Sequence, residues 1–168
     1  TLGQVAGHSD AGGASTLSMQ VIKNTFTSSV SGGIQGIIRK FTDIYLAVFK
    51  LEKTYSKEEI IEFYVNNHFL GGNIYGVQEA SREYFGKDVA DLNLSEASIL
   101  AGMFKSPNYY RTNVNPKNAT ARRNTVLYLM EKHGYITAEE RKLAASVPVD
   151  SLTAEVSTAS TSEYQSYI

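Results

Sequence analysis

Residues 37–53 constrain the fold more than any other stretch: apolar side chains stand at 37, 38, 41, 44, 45, 48, 49 and 51, with neither Pro nor Gly among them. Steps of three and four place such residues along one side of a helix. The pattern predicts a long helix whose apolar stripe is buried at the centre of the fold. Ser56 followed by Glu59 has capping-box spacing and predicts a second helix from Lys57 to Asn67, broken by residues 68–72. A third is expected over 74–84 with Phe85-Gly86-Lys87 as its exit, and a short buried one over 95–104, stopped before Pro107. Asn115-Pro116 opens another that runs to Gly134, and Thr137 with Glu140 repeats the capping-box spacing for a last helix ending near Ser146. Strand signals are few, so the expected class is mainly α.

A chain of 168 residues with 42% hydrophobic content supports one domain with a real core, read here as residues 1–149. Ser and Thr dominate residues 150–168, which read as a linker or the start of a following domain. The formal net charge of −1 provides no bulk positive field, which argues against nucleic acid as a partner. Recognition of phosphate must then come from local cations: Lys23, Arg39, Lys40 and the pair Arg122-Arg123. The absence of cysteine removes disulfide and thiolate chemistry without choosing a compartment. No apolar run reaches the ~18 residues of a membrane span. The start, Thr1-Leu2-Gly3-Gln4, has neither the charge nor the apolar core of a signal peptide, and lacking an initiator Met it reads as an excised fragment whose native anchor lies elsewhere.

Local chemistry concentrates in two segments. Gly12 and Gly13 precede Ser15 and Thr16, either of which can cap a helix carrying Gln20, Lys23 and Asn24 on neighbouring turns. Free amide groups at such a helix start, with a lysine nearby, can hold a phosphate, although a cap of this composition is commonly structural only. Asp43 lies four residues after Arg39 and three after Lys40, within side-chain reach of both on a helix. Spacing alone favours a solvated ion pair over a catalytic role. His8, in the polar run Gly7-His8-Ser9-Asp10, reads as a surface loop residue.

These segments, followed in order by Lys57-Glu58-Glu59-Ile60-Ile61-Glu62-Phe63-Tyr64-Val65-Asn66, Gly72-Asn73-Ile74-Tyr75-Gly76-Val77, Tyr84-Phe85-Gly86-Lys87, Leu94-Ser95-Glu96-Ala97 and Arg122-Arg123-Asn124-Thr125-Val126-Leu127, resemble the peptidoglycan glycosyltransferase domain of class A penicillin-binding proteins and monofunctional transglycosylases. The resemblance implies a lysozyme-like helical domain that polymerises lipid II into glycan. Its implied partners are lipid II, lipid-linked glycan and the membrane surface, on the extracytoplasmic face of a bacterial cytoplasmic membrane, with a C-terminal transpeptidase domain following in bifunctional relatives.

Carried over by motif, Asp43 takes the place of the second essential carboxylate. Ser15, Thr16, Gln20, Lys23, Asn24, Arg39, Lys40 and Arg123 become substrate-binding residues, with Arg122 a helix anchor and Glu62 a scaffold hydrogen-bonding group. The resemblance leaves room for a divalent cation, Mg or Mn, bridging phosphate oxygens at Asp43. Residues 28–38 are expected to form a mobile, glycine-rich loop bordering the lipid interface.

Two departures stand out. The family pattern has Glu where this chain has Asp43, and one methylene fewer withdraws the carboxylate by roughly 1.5 Å. Nothing like the first family motif, Glu-Asp-x-x-Phe-x-x-His-x-Gly, occurs before Gly12, so the chain is expected to lack the general-base glutamate and to be weakly active or inactive alone. The alternative is a non-catalytic module that binds lipid-linked substrate or serves as a scaffold. A lysozyme-like hydrolase fits less well, because it needs a protonated acid in an apolar pocket and Asp43 stands beside two cations.

Overall fold

The computed structural model describes residues 16–25 and 33–153. Ser15, His8, residues 28–32 of the expected loop and the tail beyond 153 lie outside the described residues. The chain divides into two compact units, one ending at His68 and the other beginning at Phe69. Each unit has a core of its own.

In the first unit, α1 (Leu17–Thr25) begins at Thr16, whose Oγ1 accepts a hydrogen bond from the Met19 amide at 3.2 Å. The long helix exists as α2 (Gly33–Leu46), a π turn (Ala47–Leu51) and α3 (Glu52–Thr54) in unbroken succession. It starts earlier than its apolar pattern suggested, so residues 33–38, expected to be loop, are helical. Its orientation is also the reverse of the expectation. Asp43 is the buried residue of α2, whereas Ile34 and Phe41 are 76% and 70% exposed and Ile37, Ile38, Ile44 and Tyr45 are also exposed. Periodicity shows that a helix has two faces but not which one meets the core. The core is supplied further along, where the π turn, with its wider i to i+5 pairing, presents Ala47 and Leu51 to Val21, Ile22 and Ile60.

Ile60 belongs to α4 (Lys57–Asn67), which packs on α1. Ser56 and Glu59 form the predicted capping box: the Glu59 amide donates to Ser56 Oγ at 3.2 Å and the Ser56 amide to Glu59 Oε2 at 2.8 Å. Glu62, expected to hydrogen-bond within the scaffold, is exposed on this helix.

The second unit is built around α6 (Leu94–Met103), whose Ile99, Leu100 and Met103 pack with Leu70, Ala80, Tyr84, Phe85, Ala119 and Val149. Its most extensive partner is α7 (Pro116–Lys132). Gly102 permits that approach, since a β-carbon there would lie 2.8 Å from Arg122 Cγ. Helix α5 (Val77–Phe85) starts three residues later than expected, because the chain first closes a turn through the Ile74 amide and Gly71 carbonyl and passes Gly76 at φ +83°. It ends at Gly86 in the left-handed region, whose amide donates to the Arg82 carbonyl.

The motif residues around this exit are structural. Tyr84 donates its hydroxyl to the Leu70 carbonyl at 2.9 Å, and Lys87 pairs at 2.9 Å with the buried Glu96, which also closes the capping box of α6 with Asn93. Helix α8 (Ala138–Ser146) carries the predicted Thr137 and Glu140 box. A 3₁₀ turn, Val149–Ser151, then places Val149 in the core and Leu152 against it, so the packed structure runs slightly past 149. The described residues are helical with one isolated bridge, Phe69 to Tyr75, and no sheet, as the mainly α expectation requires.

Candidate active site

The first unit holds a cleft of about 470 Å³ lined by Met19, Gln20, Lys23 and Asn24 from α1, Arg39, Lys40 and Asp43 from α2, and His68 at the end of α4. The sequence named all of these except Met19 and His68. Helical spacing explains the convergence: Gln20, Lys23 and Asn24 lie three and four residues apart, as do Arg39, Lys40 and Asp43, so α1 and α2 each turn one polar face to the same space.

Asp43 is 4% exposed, and its Oδ2 lies 3.7 Å from Arg39 Nε, close enough for an ion pair but long for a hydrogen bond. Its Oδ1 and Arg39 Nε are both buried without a hydrogen-bond partner. Buried polar atoms are normally satisfied, and exceptions mark places where a ligand or water belongs. The carboxylate and guanidinium are therefore held beside each other with bonding capacity in reserve. Lys23, Lys40 and Asn24 are exposed on the cleft rim, so their polar ends are reached at little desolvation cost. Tyr64 donates its hydroxyl to Gln20 Oε1 at 3.2 Å and orients that amide; partial burial pushes the phenol up, which keeps it a donor.

Two of the expected binding residues are engaged within the fold. Thr16 is committed to capping α1, as the structural reading allowed. Arg123 lies in the second unit, 1% exposed, and its guanidinium donates to the Val147 carbonyl at 2.5 Å, the Ala145 carbonyl at 2.7 Å, Ser95 Oγ at 3.1 Å and Asn124 Oδ1 at 3.1 Å. With its donors turned inward to the end of α8, it ties α8 to α6 and α7 rather than offering them to a diphosphate. Burial also pulls its pKa down, the sign of a desolvated cation kept for packing. Arg122 has the anchoring role expected of it, with Nε donating to the Gly102 carbonyl at 3.2 Å and its guanidinium over the Tyr110 ring.

His68 was missed because its sequence neighbourhood signals only a helix stop. Its one available signal was its place four residues after Tyr64, which puts the two rings 5.1 Å apart.

A model of the transglycosylase family matches residues 1–131. Penicillin-binding protein 1A of Streptococcus oralis is 40% identical over 149 residues, covering 89% of this chain and 23% of the relative. The protein of the same name from Clostridium botulinum is 45% identical over 133 residues, covering 76% of this chain and 16% of the relative. Among solved structures, penicillin-binding protein 1A from Haemophilus influenzae superposes with a TM-score of 0.54 at 36% identity, over 71% of this chain and 17% of that one. The chain thus spans less than a quarter of the length of the curated relatives it matches. It belongs to the transglycosylase family, the peptidoglycan glycosyltransferases whose motifs its sequence carries.

Proposed function

We propose that the cleft of the first unit binds the diphosphate of a lipid-linked glycan donor, and that the chain acts in polymerising lipid II. The observation that carries this is the meeting of Lys23, Arg39 and Lys40 around a buried, incompletely bonded Asp43. In the transfer, the acceptor's 4-hydroxyl attacks the anomeric carbon of the donor, a C–O bond forms with inversion from α to β, and the bond to the diphosphate breaks. Charge grows on the departing diphosphate oxygens, and cations fixed beside them before the reaction lower that barrier. Lys23 and Arg39 serve this purpose, Asp43 orients Arg39 or accepts a substrate hydroxyl, and Gln20, held by Tyr64, offers its amide to the sugar or phosphate. The proton of the attacking hydroxyl has no assigned acceptor among these residues. The isolated chain is accordingly proposed to be weakly active, since a general base contributes about 10² to 10⁴ in rate.

A divalent cation of the Mg or Mn type fits the orphaned Asp43 oxygen, because such ions bind through one or two carboxylates together with substrate phosphates. Bound there it would neutralise diphosphate charge. Among the described residues no group of three or more His, Cys, Asp and Glu could hold it without substrate.

The exposed Ile34, Ile37, Ile38, Phe41 and Ile44 on α2 support contact with a membrane surface, where lipid-linked substrate resides and where the extracytoplasmic location would place the chain. No helix among the described residues is long and apolar enough to cross a membrane. The test is glycan synthesis from lipid II by this chain and by the complete reading frame that encodes it, each with Asp43 intact and with Asp43→Ala. Loss of synthesis with Asp43→Ala in the complete protein is expected. Unchanged synthesis would remove Asp43 from the mechanism, and binding of lipid II without synthesis by the complete protein would favour a substrate-binding module.

A further inference from the structure

His68 lines the cleft, and the transfer chemistry above does not use it. It is half-buried at the end of α4, its ring against that of Tyr64, the residue whose hydroxyl already holds Gln20. The end of α4 therefore delivers an imidazole to a wall otherwise made by α1 and α2. Among the described residues, the charged and titratable groups sharing that space include Lys23 from α1, Arg39, Lys40 and Asp43 from α2, and Tyr64 from its own helix. Among these described groups cations outnumber the carboxylate, which opposes a further positive charge on His68. A diphosphate within the cleft, with one negative charge on each phosphate, cancels that excess, and imidazole, with an ordinary pKa of about 6.5, is the side chain able to respond near neutral pH.

We infer that His68 contacts the donor diphosphate and takes up a proton when it binds, which makes substrate affinity rise as pH falls. The inference rests on the donor-site reading above. Both phosphates of a lipid-linked diphosphate are already esterified and keep their charge between about pH 5.5 and 8, so a pH dependence in that window belongs to the protein.

The experiment is titration of short-chain lipid II into the full chain across that pH range, with wild type and His68→Gln. Wild-type affinity should increase toward low pH, up to about tenfold for each unit by which the ligand raises the imidazole pKa. His68→Gln should flatten the profile while keeping the affinity seen at the alkaline end; a merely structural role would instead shift affinity equally at every pH. A second measurement needs no variant. The chain has three histidines, and the His68 imidazole resonances followed by NMR should titrate at higher pH when the cleft is saturated. An imidazole unmoved by ligand, or a wild-type pH profile retained in His68→Gln, overturns the inference while leaving the donor site standing. Absence of lipid II binding at any pH overturns the donor-site reading and this inference with it.

Discussion

The two units use arginine in opposite ways. Arg39 in the first unit lines an open cleft beside a carboxylate with a free lone pair, and its Nε has no hydrogen-bond partner. Arg123 in the second unit is sealed, its nitrogens facing carbonyls at the end of α8. Both come from segments that match the family motifs, so motif membership alone does not assign a guanidinium to a site; what distinguishes the two is whether its donors are already engaged. The same contrast extends to the helices. In the second unit α6 buries its apolar residues conventionally, whereas α2 in the first unit turns its apolar face outward and a carboxylate inward. A helix arranged in that way loses core stabilisation, and it is this segment on which the proposed site and membrane contact both rest.

The largest expected effect is on the cleft side of this contrast. Asp43→Ala in the complete protein should lower the rate of glycan synthesis by about a thousandfold, ~4 kcal/mol in barrier, with the melting temperature little changed. Asp43→Glu, which restores the family's residue, should retain far more activity than the alanine variant; equal loss in both would mean the position tolerates no rearrangement. On the building side, Arg123→Ala should destabilise the chain by about 3 kcal/mol, because it strands two α8-end carbonyls that a charged donor now satisfies. Denaturant unfolding checks this, and an unaltered midpoint would break the distinction between the two arginines.

The sequence revealed the secondary structure well where side chains interact locally. Ser56 with Glu59 and Thr137 with Glu140 mark helix starts because their hydrogen bonds span three residues and need nothing from the rest of the fold. The cleft residues were legible through the family motifs, and their helical spacing explains why α1 and α2 each present theirs on one face. What was not legible depends on contacts distant in sequence. The outward face of α2, the π turn that brings Ala47 and Leu51 inward, and the engagement of Arg123 with residues 22 and 24 positions away are set by packing. His68 was hidden for the same reason, because only the approach of α4 to α1 makes it part of a site.

Smaller effects sharpen the picture. Tyr64→Phe removes the donor that orients Gln20 and should weaken lipid II binding by several-fold, near 1 kcal/mol, with the fold retained. A change in stability without a change in binding would instead make Tyr64 a core residue alone. The least effect concerns the surface of the second unit, where Arg82 at 2.8 Å and Gln78 hold the Asp88 carboxyl below its ordinary value. A carboxyl depressed by folding contributes stability above its unfolded pKa and loses it as pH falls through the folded value. A slight loss of stability below about pH 4 is therefore expected, and Arg82→Ala should reduce it. Thermal melts across pH 2.5 to 6, about the range that brackets both forms, will show whether that slope disappears.

The most direct test of the cleft as a diphosphate site is the affinity of short-chain lipid II for the full chain and for Lys23→Ala and Lys40→Ala, measured at two salt concentrations alongside melting temperature. Both lysines are exposed, so neither replacement should alter the fold. Each is expected to weaken binding by about tenfold at low salt, with a smaller difference at high salt and an unchanged melting temperature. Wild-type affinity in both variants would contradict the account.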